Sequence, residues 1–196
     1  MADRSVSIKR KTNETDINLF LNLDGTGKTS IDTGVGFFDH MLNLMAFHGG
    51  MDMTIKARGD IEVCDHHIIE DVGIVLGQAF LKALGDKVGI ERYGTFFLSM
   101  DESLAQISLD ISGRSFLVFE CEFNRENIGN YSTEMTKEFF RAFAFNSGIT
   151  LHARILYGEN DHHKVEALFK ALGRALSIAK KINKENMSLP STKGML

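Results

Sequence analysis

A two-layer α/β protein (α+β in its segregation of sheets and helices), built by internal duplication of a strands-helix-strand-helix unit, is what the sequence predicts. Three observations carry this. Residues 54–79, TIKARGDIEVCDHHIIEDVGIVLGQA, lie without a gap over residues 150–175, TLHARILYGENDHHKVEALFKALGRA, and ten of 26 positions are identical. Residues 16–24, DINLFLNLD, alternate apolar and polar as a half-buried strand does. Ile69, Val72, Leu76, Phe80 and Leu84 recur at helical spacing. A duplicated unit of this kind buries the apolar face of each copy against the other.

The first strand, 16–24, puts Ile17, Leu19, Leu21 and Leu23 on one face. DGTG at 24–27 is turn chemistry. Asp39 is placed to cap a helix over roughly 40–48, which Gly49 and Gly50 end. A strand near 51–57 follows, and Asp65 caps a second helix. The second half gives strand-like runs at 95–100, 104–111 and 115–123, then a helix from Ser132 to Asn146 closed by Ser147-Gly148. A strand at 149–156 leads to a last helix, capped by Asp161 and running to about 182. The tail SLPSTKGML holds the single proline, Pro190, and reads as an irregular arm. The repeats therefore divide as 1–90 and 91–196 within one compact domain, with helices on one face of each sheet.

Composition narrows the function. With 196 residues, 43% apolar, 24% charged and a net charge of −4, the chain is an ordinary globular protein. No basic block interleaved with aromatics offers a nucleic-acid groove. No apolar run spans a membrane, and the N-terminus lacks the apolar stretch of a secretory signal. Cys64 and Cys121 form no disulfide framework and read as reduced thiols of a cytoplasmic protein. Cys64 borders the first DHHxxE string, but its counterpart is Asn160, so it reads as a packing residue.

The chemistry lies in DHHIIE at 65–70 and DHHKVE at 161–166. At the start of a helix, His66 and Glu70 share a face, and His67 approaches Glu70. Two adjacent helical imidazoles point about 100° apart, so they serve two ions more readily than one. The duplication therefore points to a pair of metal sites. His40 and His48, at the two ends of the first helix, and His152, on the strand before the second string, complete the seven histidines. Imidazoles and carboxylates without thiolates suit Mn, Fe, Zn or Ni, with positions left open for substrate.

These residues are similar to a known family. GVGFFDHML at 34–42, ARGDIEVCDHHIIEDVGIVLGQAFLKALGD at 57–86, LDISGR at 109–114, SGITLHA at 147–153, GENDHHKVEALFKALGRAL at 158–176 and PSTKG at 190–194 resemble imidazoleglycerol-phosphate dehydratases. The resemblance runs from Arg4 to Leu196 and looks like the monofunctional form. It implies a fold like domain 2 of ribosomal protein S5, and dehydration of imidazole glycerol phosphate to imidazole acetol phosphate in histidine biosynthesis. It implies two Mn2+ per active site and a homo-oligomer of 24 chains with sites between subunits. As metal ligands it implies His40, His66, His67, Glu70, His152, His162, His163 and Glu166. Glu14 in TNETD matches the family's acid/base, and His48 lies near the substrate. Arg92, Arg114, Ser191, Thr192 and Lys193 match the phosphate-holding positions. Three places depart from the family pattern: Leu44 stands where Gln is frequent, Phe47 precedes His48 where Ser is usual, and Cys64 stands where Asp is common.

The reaction explains such a site. The proton to be removed is not beside a carbonyl, so it is not acidic. Metal ions on both ring nitrogens would hold the ring as imidazolate, which expels the hydroxyl and acidifies the neighbouring C–H for a carboxylate base. Two other readings remain open on sequence: a dinuclear metallohydrolase of phosphate esters, and a metal-storing assembly without turnover.

Overall fold

Residues 4–194 and 196 are described in a computed structural model; Met1–Asp3 and Met195, at the start of the first repeat and in the arm, lie outside the described residues. Alternation in β2 (Thr15–Asn22) buries Ile17, Leu19 and Leu21. This strand pairs antiparallel with β1 (Ser5–Lys11) and with β4 (Asp52–Gly59), and β3 (Thr29–Asp32) lies parallel to β4. The sheet order is β1-β2-β4-β3. The second half repeats it. β5 (Tyr93–Met100), β6 (Ser103–Asp110), β10 (Thr150–Tyr157) and β7 (Phe116–Glu120) lie in the order β5-β6-β10-β7, again with the last pair parallel. A short hairpin, β8 (Asn127–Ile128) with β9 (Tyr131–Ser132), precedes the third helix.

Four helices cover the inner faces: α1 (Gly36–Gly49), α2 (His66–Leu84), α3 (Met135–Ser147) and α4 (Asp161–Ala179). Each lies on the sheet of its own repeat and crosses to a helix of the other, α2 on α3 and α1 on α4. Glycine at equivalent places allows both crossings. A Cβ on Gly77 would meet the Phe143 carbonyl oxygen at 2.7 Å, and one on Gly173, 96 residues on, the Met45 carbonyl oxygen at 2.4 Å. Between the helices Phe38, Phe139, Phe140, Phe143 and Phe169 are fully buried in edge-on and stacked pairs, giving one continuous core.

The ends of the helices differ from expectation. α1 begins at Gly36, not near residue 40. Asp39 is inside its first turn, and its carboxylate accepts hydrogen bonds from the Thr33 amide (2.9 Å) and hydroxyl (2.6 Å) of the preceding loop. Asp65 occupies the N-cap position of α2 without capping it. Its carboxylate is taken by the Ser132 amide (2.6 Å) and hydroxyl (2.7 Å), a tie between the repeats. Asn160, not Asp161, caps α4, accepting from the amides of His162 and His163. Asp161 instead accepts from the amides of Asn124 and Arg125. α3 starts at Met135 because Ser132 is paired in β9, and α4 stops at Ala179, short of 182. Cys64 is exposed, so it does not pack.

Candidate functional site

The starts of α2 and α4 decide where the histidines go. Each DHHxxE string forms the first turn of a long helix, immediately after the second β-to-α connection of its repeat. His66 Nε2 lies 3.7 Å from Glu70, and His162 Nε2 lies 3.0 Å from Glu166, the i,i+4 pairs expected on one helix face. The second histidine of each pair turns to a carboxylate outside the helix. His67 Nδ1 is 3.1 Å from both oxygens of Asp60, in the β4–α2 loop. His163 Nδ1 is 2.7 Å from Glu102, in the β5–β6 turn. A carboxylate on Nδ1 fixes the tautomer that leaves the Nε2 lone pair available. The Asp60 hydrogen bond raises the pKa of His67. Glu102 is held far below the usual carboxylate range, first by the Asn160 amide and then by His163.

Around these turns the repeats differ. On the α4 side, His40 of α1 reaches to within 3.7 Å of the same Glu166 oxygen that His162 meets, and Lys170 Nζ is 2.5 Å from the other oxygen. Burial pushes Glu166 up, but Lys170 and His162 outweigh it and leave its pKa lowered. On the α2 side Glu70 faces Arg141 at 3.9 Å, itself paired with Glu138. His66 opens there on a cleft of about 410 Å³ lined by Phe119, Cys121, Phe123 and Glu138. Burial pushes the Cys121 thiol up to about 12, so it offers no thiolate. Glu14 stands 3.9 Å from His67 Nδ1 and is exposed. His48, in the last turn of α1, has a buried Nδ1 with no hydrogen-bond partner among the described residues. Burial, then Arg174 and Lys170, lowers its pKa.

A third group lies on the outer face of the second sheet. His152 is exposed on β10, opposite Ser108. At the same end of the sheet Asp110 pairs with Thr150, and it holds Arg92 through two hydrogen bonds of 2.7 and 3.1 Å. The remaining guanidinium nitrogen of Arg92 donates to the Pro190 carbonyl (2.8 Å), which pins the arm. Arg114 is exposed, 4.0 Å from Asp110. Ser191, Thr192 and Lys193 follow in the pinned arm, with the Lys193 amide donating to the Ser191 hydroxyl.

One chain thus brings His66, His67, Glu70 and Glu14 together, and His40, His162, His163 and Glu166 together, and keeps His152 with the cationic group. Among the described residues, no three His, Cys, Asp or Glu side chains are arranged to hold a metal ion within the chain. The donor set itself suits a borderline divalent ion: imidazole Nε2 atoms freed by carboxylates on Nδ1, and glutamates beside them. Sequence reasoning missed Asp60, Glu102, Lys170 and Arg141. Glu102 had a signal, since it sits in a turn between strand-like runs. Asp60 had none, because the second copy has Leu156 in its place.

A model of the imidazoleglycerol-phosphate dehydratase family matches residues 33–176. The chain is 61% identical over 196 residues to the imidazoleglycerol-phosphate dehydratase of Clostridium botulinum (strain Alaska E43 / Type E3), covering all of both chains. It is 58% identical to that of Clostridium novyi (strain NT), again over both whole chains. The crystal structure of imidazoleglycerol-phosphate dehydratase from Staphylococcus aureus subsp. aureus N315 superposes with a TM-score of 0.84 at 42% identity, over 91% of this chain and 99% of that one. The structure of IGPD from Pyrococcus furiosus in complex with (S)-C348 gives 0.83 at 37% identity, over 96% and 100%.

Proposed function

The chain belongs to the imidazoleglycerol-phosphate dehydratase family, and from that premise we propose how its residues divide the work. It is a hydro-lyase that dehydrates imidazole glycerol phosphate to imidazole acetol phosphate in histidine biosynthesis. His40, His66, His67, Glu70, His152, His162, His163 and Glu166 would hold two Mn2+ ions per site. When bound, the ions supply Lewis acidity at the two nitrogens of the substrate ring.

The chain's own groups do the rest. Glu14 takes the proton from the carbon bearing the middle hydroxyl. The hydroxyl on the ring-bearing carbon leaves as water, and the enol that results becomes the ketone. His48, its pKa lowered by burial and its Nδ1 without a hydrogen-bond partner among the described residues, lies in the part of the site that orients the substrate hydroxyls. Arg114 and Lys193 hold the phosphate, with Ser191 and Thr192, because guanidinium and ammonium groups suit a dianion. Arg92 acts in the same place by fixing the arm to the sheet.

The observation that carries this reading is the pair of helix-opening His-His-Glu turns, each with one imidazole oriented by an outside carboxylate. Because one chain separates the ligand groups, each site is completed by another copy, in a cytoplasmic homo-oligomer of 24 chains. Among the described residues no helix is long and apolar enough to cross a membrane. Phosphorus NMR of the substrate with the Mn2+-loaded protein tests the reading: imidazole acetol phosphate should form, with about two ions bound per chain. Release of inorganic phosphate instead would overturn it.

A further inference from the structure

The two hairpins that lead each sheet place a glutamate at the same point. Thr12-Asn13-Glu14 joins β1 to β2, and Asp101-Glu102 joins β5 to β6, so each glutamate stands immediately before the second strand. Thr15 and Ser103 are both buried at the start of their strands. Each glutamate faces the second histidine of the helix in its own repeat, yet the distances differ. Glu102 lies 2.7 Å from His163 Nδ1, and its other oxygen accepts from the amides of Glu159 (3.1 Å) and Asn160 (2.7 Å). Glu14 lies 3.9 Å from His67 Nδ1, beyond hydrogen-bond reach, and its carboxylate takes no hydrogen bond among the described residues. His67 is held by Asp60 instead, with both oxygens at 3.1 Å. The position equivalent to Asp60 is Leu156, which cannot accept a hydrogen bond through its side chain.

We infer that Glu14 and Glu102 are equivalent hairpin carboxylates with divided tasks: Glu102 orients the ligand histidine His163, while Asp60 orients His67 in place of Glu14 and so leaves Glu14 free for substrate. Asp60 and Glu102 are positioning residues, since each acts through a histidine. The proposal rests on the reading of the histidine strings as Mn2+ ligands and of Glu14 as the acid/base. It explains why two hairpin glutamates so alike in sequence need not both be catalytic, and why an extra carboxylate appears in only one repeat.

The test is Mn2+ affinity of the assembled full-length protein, stripped by chelator and titrated back, beside kcat. Glu102→Gln should weaken one of the two bound ions about 10- to 100-fold. Glu14→Gln should leave affinity unchanged. Asp60→Asn should weaken binding by only about 3-fold, because Glu14 can move onto the vacated Nδ1, yet it should lower kcat by far more than its loss of metal explains. The double variant Asp60→Asn/Glu14→Gln should then lose about 10- to 100-fold in affinity, a coupling that independent sites do not show. Melting of the metal-free proteins controls for folding, and Glu102→Asp, which keeps the charge but shortens the reach, should fall between wild type and Glu102→Gln. Additive effects in the double variant, or unchanged affinity in Glu102→Gln, would overturn the inference while leaving the Mn2+ reading intact. A wild-type protein that bound no Mn2+ would instead remove that reading itself.

Discussion

Glu14 is exposed, without a hydrogen bond to its carboxylate among the described residues, and 3.9 Å from an imidazole that Asp60 already holds. A base that is to take a carbon-bound proton needs such freedom, whereas a metal-orienting carboxylate needs the opposite. Glu14→Gln should therefore lower kcat by roughly 10²–10⁴-fold with the Mn2+ content per chain unchanged; a normal rate would remove Glu14 from the chemistry. A different residue sets a pH dependence away from the site. Lys180 is buried, donates through Nζ to the Leu23 carbonyl at 2.5 Å, and is pushed down to about 8 by burial and then by Arg4, against the attraction of Asp24. The unfolded chain keeps that proton up to its ordinary value of 10.5, so between about 8 and 10.5 the unfolded state binds more protons. The contribution of Lys180 to stability must then rise with pH across this window. Urea midpoints of wild type and Lys180→Met should show wild type gaining on the variant as pH rises from about 7 to about 9.5; a constant difference would mean the ammonium is not desolvated. At this scale much was legible. The duplicated DHHxxE strings announce themselves because the same residue types recur at the same spacing in both repeats. Asp60 and Lys170 were not, because a residue that works through a neighbour can come from any loop or helix turn that reaches it.

Helix and strand positions followed from periodicity wherever one face is buried, as in β2 and α2. β1 and β3 were missed for the converse reason: SVSIKRK and TSID lie at the edges of the sheet with no residue fully buried, and each carries too few apolar residues to stand out. Caps were misassigned where an aspartate had two possible partners and took the tertiary one, as Asp65 and Asp161 did, and where the helix began earlier than expected, as at Asp39. The helix crossings turn on Gly77 and Gly173. Alanine in a helix interior is favoured over glycine by about 1 kcal/mol, so a Gly→Ala change stabilises unless something is in the way. At Gly173 the new Cβ would stand 2.4 Å from a backbone oxygen of α1, and the crossing itself would have to open. Overpacking of that kind costs about 1–3 kcal/mol, enough to exceed the propensity gain. Gly173→Ala should lower Tm by several degrees, at about 2–4 °C per kcal/mol. Gly36→Ala, which meets nothing within 4 Å, should not lower it. Equal effects at the two positions would mean that the close approach does not set the packing.

For the whole molecule, the proposed ligands fall into two groups, one at each DHHxxE string, and among the described residues neither group is arranged to hold a metal ion within the chain. α2 packs on α3 and α4 on α1, so each string opens at the end of a different helix pair, and His152 faces out from the second sheet. If one working site takes the α2 string from one copy and the α4 string from another, damage to each can be separated by mixing. His67→Ala and His163→Ala should each be nearly inactive alone. Unfolded together at equal amounts and reassembled with Mn2+, they place an intact α2 string from the second variant beside an intact α4 string from the first in about a quarter of the sites. Activity should therefore return to roughly a quarter of wild type. A site closed within one chain predicts none, because every chain in the mixture carries a lesion. If the ions bridge copies in this way, they stabilise the contact they span, so chelation should lower the mass seen by light scattering as well as the rate, and adding Mn2+ back should restore both. Recovery of activity without recovery of mass would show that the ions sit within single copies and that the partner contributes shape alone.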